Sequence, residues 1–108
     1  MTDVDVLIVG GGLVGSTLAA ALAGTGVSVA LVDSTDLYSA INSEFDGRSF
    51  AVSHASHRLL SAVGIWPYLD KDQSPILDIR ISDGSSLMFL HFDHQDSGGK
   101  PMGYMVEN

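Results

Sequence analysis

The sequence predicts an α/β fold: a βαβ unit with an incomplete parallel sheet, followed by the start of a β-rich domain. Three observations predict it. Two apolar runs rich in β-branched residues, Val4 to Val9 and Val27 to Val32, flank a stretch of small residues. Residues 5 to 33 hold six glycines, three of them consecutive. After about residue 70 the pattern changes to short strand-like runs joined by turn residues.

Val4 to Val9 alternates and then becomes continuously apolar, as a strand covered on both faces does. Leu13 to about Thr25 reads as a helix. Its Gly15, Ala19 and Ala23 recur every four residues, so one stripe carries almost no side chain and can approach a neighbouring backbone closely. Gly24 and Gly26 are stop signals, and Val27 to Val32 is the second strand. Two parallel strands joined by a helix form a right-handed unit in nearly all cases. Residues 34 to 47 are polar and turn-rich and read as loop. From about Arg48 to Val63 the spacing of Val52, Ala55, Leu59 and Val63 predicts a helix, with Asp46 as its cap and Gly64 as its terminator. Trp66 to Leu69 reads as a turn packing back on the core. Asp70 to Ser74 is a polar break. Ile76 to Ser82 and Leu87 to Phe92 read as strands, joined through the hairpin signal Asp83-Gly84-Ser85-Ser86. His94 to Lys100 reads as a polar loop, and Met102 to Val106 as a last short strand. The expected division is residues 1–70 for the βαβ unit and its helix, and 71–108 for the start of a second domain.

Gly10-x-Gly12-x-x-Gly15 lies after the first strand and opens the first helix, the position of the dinucleotide fingerprint of Rossmann-type folds. Gly10 lets the chain turn sharply. Gly12 lets a pyrophosphate approach the backbone, and Gly15 lets helix and strand pack tightly. The amides opening the helix, at Leu13 and Val14, then face the phosphates at the positive end of the helix dipole. Asp33, 18 residues after Gly15, ends the second strand where an acid accepts hydrogen bonds from ribose hydroxyls and repels a 2′-phosphate. The candidate cofactor-binding set is therefore Gly10, Gly12, Leu13, Val14, Gly15 and Asp33. The fingerprint itself leaves FAD and NAD open.

Composition narrows the classes. Thirteen acidic residues against five basic give a net charge of −8. The five bases are scattered, which argues against nucleic acid and against electrostatic docking on anionic lipid. With no cysteine there is no disulfide framework and no thiolate metal site. The LAAALA run at residues 18–23 has no basic residue before it, so it does not read as a secretory signal. Apolar runs reach about six residues, far short of the ~20 that span a bilayer. A cytoplasmic location is the expectation.

The stretches "DVLIVGGGLVGSTLAAAL", "FDGRSFAVSHASHRLLSAVGIWPYL", "PILDIRISDG" and "MGYMVEN" occur in that order and cover nearly the whole chain. In them the sequence resembles the N-terminal part of the flavin-dependent aromatic hydroxylases of ubiquinone biosynthesis, relatives of para-hydroxybenzoate hydroxylase. The resemblance implies FAD on the βαβ unit, NAD(P)H as external reductant and O2 as oxidant. It also implies hydroxylation of an aromatic, prenylated phenol, and a substrate domain beginning after residue 70. Peripheral association with the inner membrane or with a biosynthetic complex belongs to the same expectation. Arg48 matches the family arginine that lies against FAD, where a guanidinium at a helix start could pair with the pyrophosphate. The competing reading is a surface arginine paired with Asp46 or Glu44. Asp33 departs from the glutamate more common in flavin enzymes, and its shorter side chain still reaches a ribose. The family's downstream Gly-Asp motif, a second cofactor motif and its returning parallel strands have no counterpart here. The expectation is a fragment of a protein roughly three to four times this length, inactive alone. Two other readings stay open: the nucleotide-binding domain of an NAD-dependent dehydrogenase, and a stand-alone nucleotide-binding module without catalysis.

No catalytic acid or base is identified; in flavin enzymes the cofactor carries the chemistry. His54 and His57 share a helix face, and His91, Asp93 and His94 cluster after a strand, but neither group supplies three or four convergent ligands locally, so no metal is expected. No Gly-x-Ser-x-Gly elbow accompanies Ser53, Ser56 or Ser61. Met88, Phe89, Leu90 and Phe92 belong to strands that wall the substrate domain in the family. Left exposed, they favour association between chains.

Overall fold

The computed structural model describes residues 3–44 and 46–107. Phe45 and Asn108, which belong to the matching stretches, lie outside them. The fold is mixed α/β. Strand β1 (Val6–Val9) and strand β2 (Val29–Val32) pair in parallel, with Val6 opposite Val29 and Val9 opposite Val32. Helix α1 (Leu13–Leu22) crosses between them. It ends three residues before the expected limit, ahead of Gly24 and Gly26, both at positive φ. At the mouth of the sheet Asp5 and Ser28 clamp one another: the Asp5 amide donates to Ser28 Oγ at 2.9 Å, and the Ser28 amide and hydroxyl donate to Asp5 Oδ2 at 2.9 and 2.8 Å.

The expectation that β1 is covered on both faces is corrected. Ile8, on the face toward α1, is buried, whereas Leu7 is 59% and Val9 81% exposed. Among the described residues the parallel sheet has two strands, and α1 packs on it from one side.

A short helix α2 (Leu37–Ile41) sits inside the stretch read as loop. Asp36 caps it by accepting from the Tyr38 amide at 3.1 Å, the local side-chain bond that starts a helix where apolar periodicity is too short to show. The helix expected from Arg48 is half strand. Strand β3 (Ser49–Ser53) precedes helix α3 (His54–Ala62). Phe50 and Val52 turn inward while Ser49, Ala51 and Ser53 stay exposed, a period of two that the 3–4 spacing downstream conceals. Ser53, not Asp46, caps α3: its Oγ accepts from the Ser56 amide at 3.1 Å. Gly64, at positive φ, follows the helix as expected.

The polar break also differs. Its first three residues, Asp70–Asp72, form a 3-10 turn and its last two open strand β4 (Gln73–Ile76), and strand β5 (Asp78–Ser82) follows after Leu77 in another sheet. Strand β6 (Phe89–Asp93) pairs antiparallel with β5 through the Asp83-Gly84 turn. His94–Ser97 forms a 3-10 turn capped by Asp93. Strand β7 (Gly103–Glu107) lies between β3 and β4, antiparallel to both. Pro75 is tolerated because β4 is an edge strand. This sheet therefore joins residues from both sides of position 70. Gly103 is required where β7 meets β3, because a Cβ there would lie 2.3 Å from the Val52 carbonyl oxygen.

Among the described residues, Trp66 and Val106 are the buried hydrophobic residues of this second region. The Trp66 ring meets His57 edge-on at 4.4 Å between centroids and Tyr104 at 5.2 Å. The molecule extends 62 × 29 × 25 Å with a Cα radius of gyration of 17.8 Å. A compact chain of this length would have about 13 Å, so the small sheets follow one another along an axis rather than sharing one core.

Candidate functional site

The site grows out of the end of β1. The Gly10 amide donates to the Val32 carbonyl at 2.7 Å, the last bond of the parallel ladder, and Gly10 then turns the chain at φ +106°. L side chains rarely adopt that backbone, so the turn itself demands glycine. Gly15 is demanded by packing. A Cβ there would stand 1.8 Å from the Gly10 carbonyl oxygen and 3.3 Å from Ile8 Cγ2. Helix α1 thus rests directly on the turn that precedes it. The small-residue stripe continues through half-buried Ala19 to exposed Ala23.

Gly12 is different. It is the N-cap of α1 with extended φ and ψ, and a Cβ there would meet no described atom within 4 Å. The fold's own packing therefore leaves room in front of it. No side chain caps the helix, so the first amides, at Leu13, Val14 and Gly15, keep the donors that a helix start leaves unpaired. The Ser16 hydroxyl braces the turn by donating to the Gly11 carbonyl at 2.8 Å. The Leu13 and Val14 side chains are largely exposed, so these residues can serve a ligand through their backbone.

Asp33 reaches the same place from the end of β2. Its Oδ2 accepts from the Gly11 amide at 2.5 Å and its Oδ1 from the Thr35 amide at 2.7 Å. The Thr35 amide, and after it the Gly11 amide, hold the carboxyl below the usual aspartate range. The carboxylate is therefore ionised, and each oxygen retains a lone pair for a hydroxyl donor. The residue that the fingerprint assigns to a ribose is thus tied to the glycine turn that the fingerprint assigns to phosphates. An open space, uncapped amides and an ionised acceptor at one edge fit the diphosphate and sugar of a dinucleotide such as FAD.

The family described as FAD binding domain matches residues 3–105. The chain belongs to that family. FAD is thus the cofactor of its fold, and the flavin reading is favoured over a dehydrogenase nucleotide domain. Over 104 residues the chain is 53% identical to the ubiquinone hydroxylase UbiL of Rhodospirillum rubrum, covering 96% of this chain and 24% of that protein. It is 33% identical over 109 residues to the ubiquinone hydroxylase UbiM of Neisseria meningitidis, with the same shares covered. To the mitochondrial ubiquinone biosynthesis monooxygenase COQ6 of Dictyostelium discoideum it is 28% identical over 119 residues, again 96% of this chain and 24% of the relative. The chain spans about a quarter of the length of these relatives.

Arg48 stands just before β3, not at a helix start. Its Nε donates to Asp46 Oδ2 at 2.6 Å, its Nη2 lies 2.6 Å from the same oxygen, and its side chain is 71% exposed. Two residues of the site carry no sequence signature of their own: Gly11 and Thr35 act through backbone amides. Open space lies before the third of the consecutive glycines, and the middle one holds Asp33 through its amide, a bond that does not itself require glycine. Two histidine groups also come into view. His54 and His57 lie 6.2 Å apart between ring centroids, with His57 engaged by Trp66 and Tyr104. His91 and Asp93 are joined by Asp78 from the neighbouring strand.

Proposed function

We propose that this chain is the N-terminal, FAD-binding part of a flavin-dependent monooxygenase that hydroxylates an aromatic ring, a prenylated phenol of ubiquinone biosynthesis. One observation carries the reading: the Asp33 carboxylate is hydrogen-bonded to the glycine turn from which the uncapped helix α1 starts. The family match supports FAD as the ligand. The names of the relatives, ubiquinone hydroxylases and a ubiquinone biosynthesis monooxygenase, support the substrate class.

In this reading the amides of Leu13, Val14 and Gly15 bind the diphosphate and Gly12 gives it access. Gly10 and Gly15 hold the turn in shape, and Asp33 orients the adenosine ribose. Bound there, FAD supplies the redox centre that couples NAD(P)H oxidation to activation of O2. Arg48 serves as a second, exposed contact for the cofactor, exchanging one oxygen of Asp46 for a phosphate oxygen. Residues after 70 begin the substrate domain, although β4 and β7 share a sheet with β3. The protein works in the cytoplasm, peripheral to the inner membrane, and the exposed apolar strands favour association with other chains.

The test is an absorbance titration of the full-length protein with NADH and candidate phenols. Flavin released on denaturation, together with phenol-stimulated NADH oxidation, supports the reading. A preparation that carries no flavin and takes up none would overturn it.

A further inference from the structure

The β5–β6 hairpin sets two carboxylates directly opposite one another: Asp78 pairs with Asp93 across the antiparallel ladder. Like charges at facing positions destabilise a strand pair unless a cation or its equivalent stands between them. Alternation puts Asp78, Arg80, His91 and Asp93 on one face of the hairpin and Ile79, Ile81, Leu90 and Phe92 on the other. The polar face holds its groups close. His91 Nε2 lies 2.6 Å from Asp78 Oδ1, and His94 Nδ1 lies 3.1 Å from Asp93 Oδ1. The charge of Arg80 acts on Asp78, while its guanidinium carbon lies 5.6 Å over the Phe89 ring.

We propose that Asp78, His91 and Asp93 form a surface site for a divalent transition ion of the zinc type, with the Gln95 amide orienting Asp93 from behind. One ligand atom from each of the three lies within 4.8 Å of the other two. Neutral imidazole with two carboxylates is a donor set suited to Zn2+ or Co2+, with water completing the coordination. Closing the three atoms onto an ion at about 2.0–2.2 Å requires His91 Nε2 and Asp78 Oδ1 to part, with the proton between them released to solvent; the side chains can rotate to do so because all three are at least partly exposed. The Gln95 amide, donating to Asp93 Oδ1 at 2.8 Å, supplies the kind of outer hydrogen bond that fixes a ligating carboxylate. The ion would neutralise the facing acids and staple the two strands at the end opposite the Asp83-Gly84 turn. Sequence spacing conceals the set, since Asp78 precedes His91 by 13 positions and joins it only through strand pairing. The site is separate from the glycine turn and does not depend on flavin binding.

Calorimetric titration of the metal-free chain with Zn2+, and absorbance titration with Co2+, test this. Saturable uptake of one equivalent is expected, with a dissociation constant on the order of micromolar. Asp78→Asn and His91→Gln, each at an exposed position, should weaken it at least tenfold, while His54→Gln leaves it unchanged. A rise in melting temperature on adding Zn2+, absent in Asp78→Asn, reports the staple. No saturable uptake below about 1 mM, uptake indifferent to both hairpin substitutions, or uptake lost in His54→Gln would each overturn the proposal.

Discussion

Asp33 links two backbone amides through one carboxylate, and Gly15 lets a helix rest on a carbonyl. These two residues make opposite predictions. Asp33→Asn removes the charge and turns an NH2 donor toward either the Gly11 or the Thr35 amide. It should weaken FAD binding by roughly tenfold or more, with a loss of stability smaller than that of Gly15→Ala. Quenching of FAD fluorescence on binding reads this directly; an unchanged affinity contradicts the ribose role. Gly15→Ala places a methyl where Gly10 oxygen already stands. The helix must shift, at about 3 kcal/mol, and urea unfolding should show it. Equal stability of the two proteins would contradict the packing argument. At this scale the sequence is legible wherever a residue type is itself the requirement. Gly10, Gly15 and Asp33 each fill a place that few other residues can fill, and Gly12 leaves open the space that the motif reserves for a ligand. Gly11 and Thr35 are illegible because an amide proton belongs to every residue but proline.

The elements show why boundaries are harder to read than motifs. Ser49 to Ser53 is a strand because β7, some fifty residues later, offers it a partner. No local pattern announces that partner. Val52 fits both a helical spacing and an alternating one, and the longer helical run downstream conceals the shorter strand. The same non-local pairing makes β4 from the end of the segment that reads as a polar break and the first residue of the expected strand. Ser53, where strand becomes helix, is testable. Ser53→Ala removes the bond to the Ser56 amide and should cost about 1 kcal/mol, measured by chemical denaturation. Trp66 is the larger anchor, buried between His57 and Tyr104. Trp66→Ala should cost about 3 kcal/mol, and a loss under 1 kcal/mol would mean that the second region does not pack through this ring. The βαβ unit, by contrast, is local throughout, so its order and handedness follow from the chain itself.

For the whole molecule the net charge of −8 sets the pH response. Among the described residues four carboxyls are held below their usual range by bonds made on folding: Asp5 by Ser28, Asp33 by the Thr35 and Gly11 amides, Asp36 by Ser39 and Tyr38, and Asp78 by His91. A lowered carboxyl pKa favours the fold at every pH above the unfolded value of about 3.9, and that support is lost as the pH falls through the folded value. The melting temperature should therefore stay level from pH 7 to about 5 and drop steeply below about 4. Asp5→Asn, which removes one such carboxyl, should flatten part of that drop. An acid limb identical to the parent's would contradict the clamp between Asp5 and Ser28. The elongated shape and the exposed apolar faces of β1, β5 and β6 are whole-molecule properties that follow from how few strands each sheet contains.

The most direct measurement is a heteronuclear NMR titration of the 15N-labelled chain with FAD, and with ADP as the fragment common to both cofactor readings. The amides of Gly11 to Gly15 and of Thr35 should shift together and saturate with one constant, and the Asp33→Asn chain should lose that response. Shifts that gather elsewhere, or that persist at the glycine turn without the Asp33 carboxylate, would contradict a sugar-and-diphosphate site at the start of helix α1.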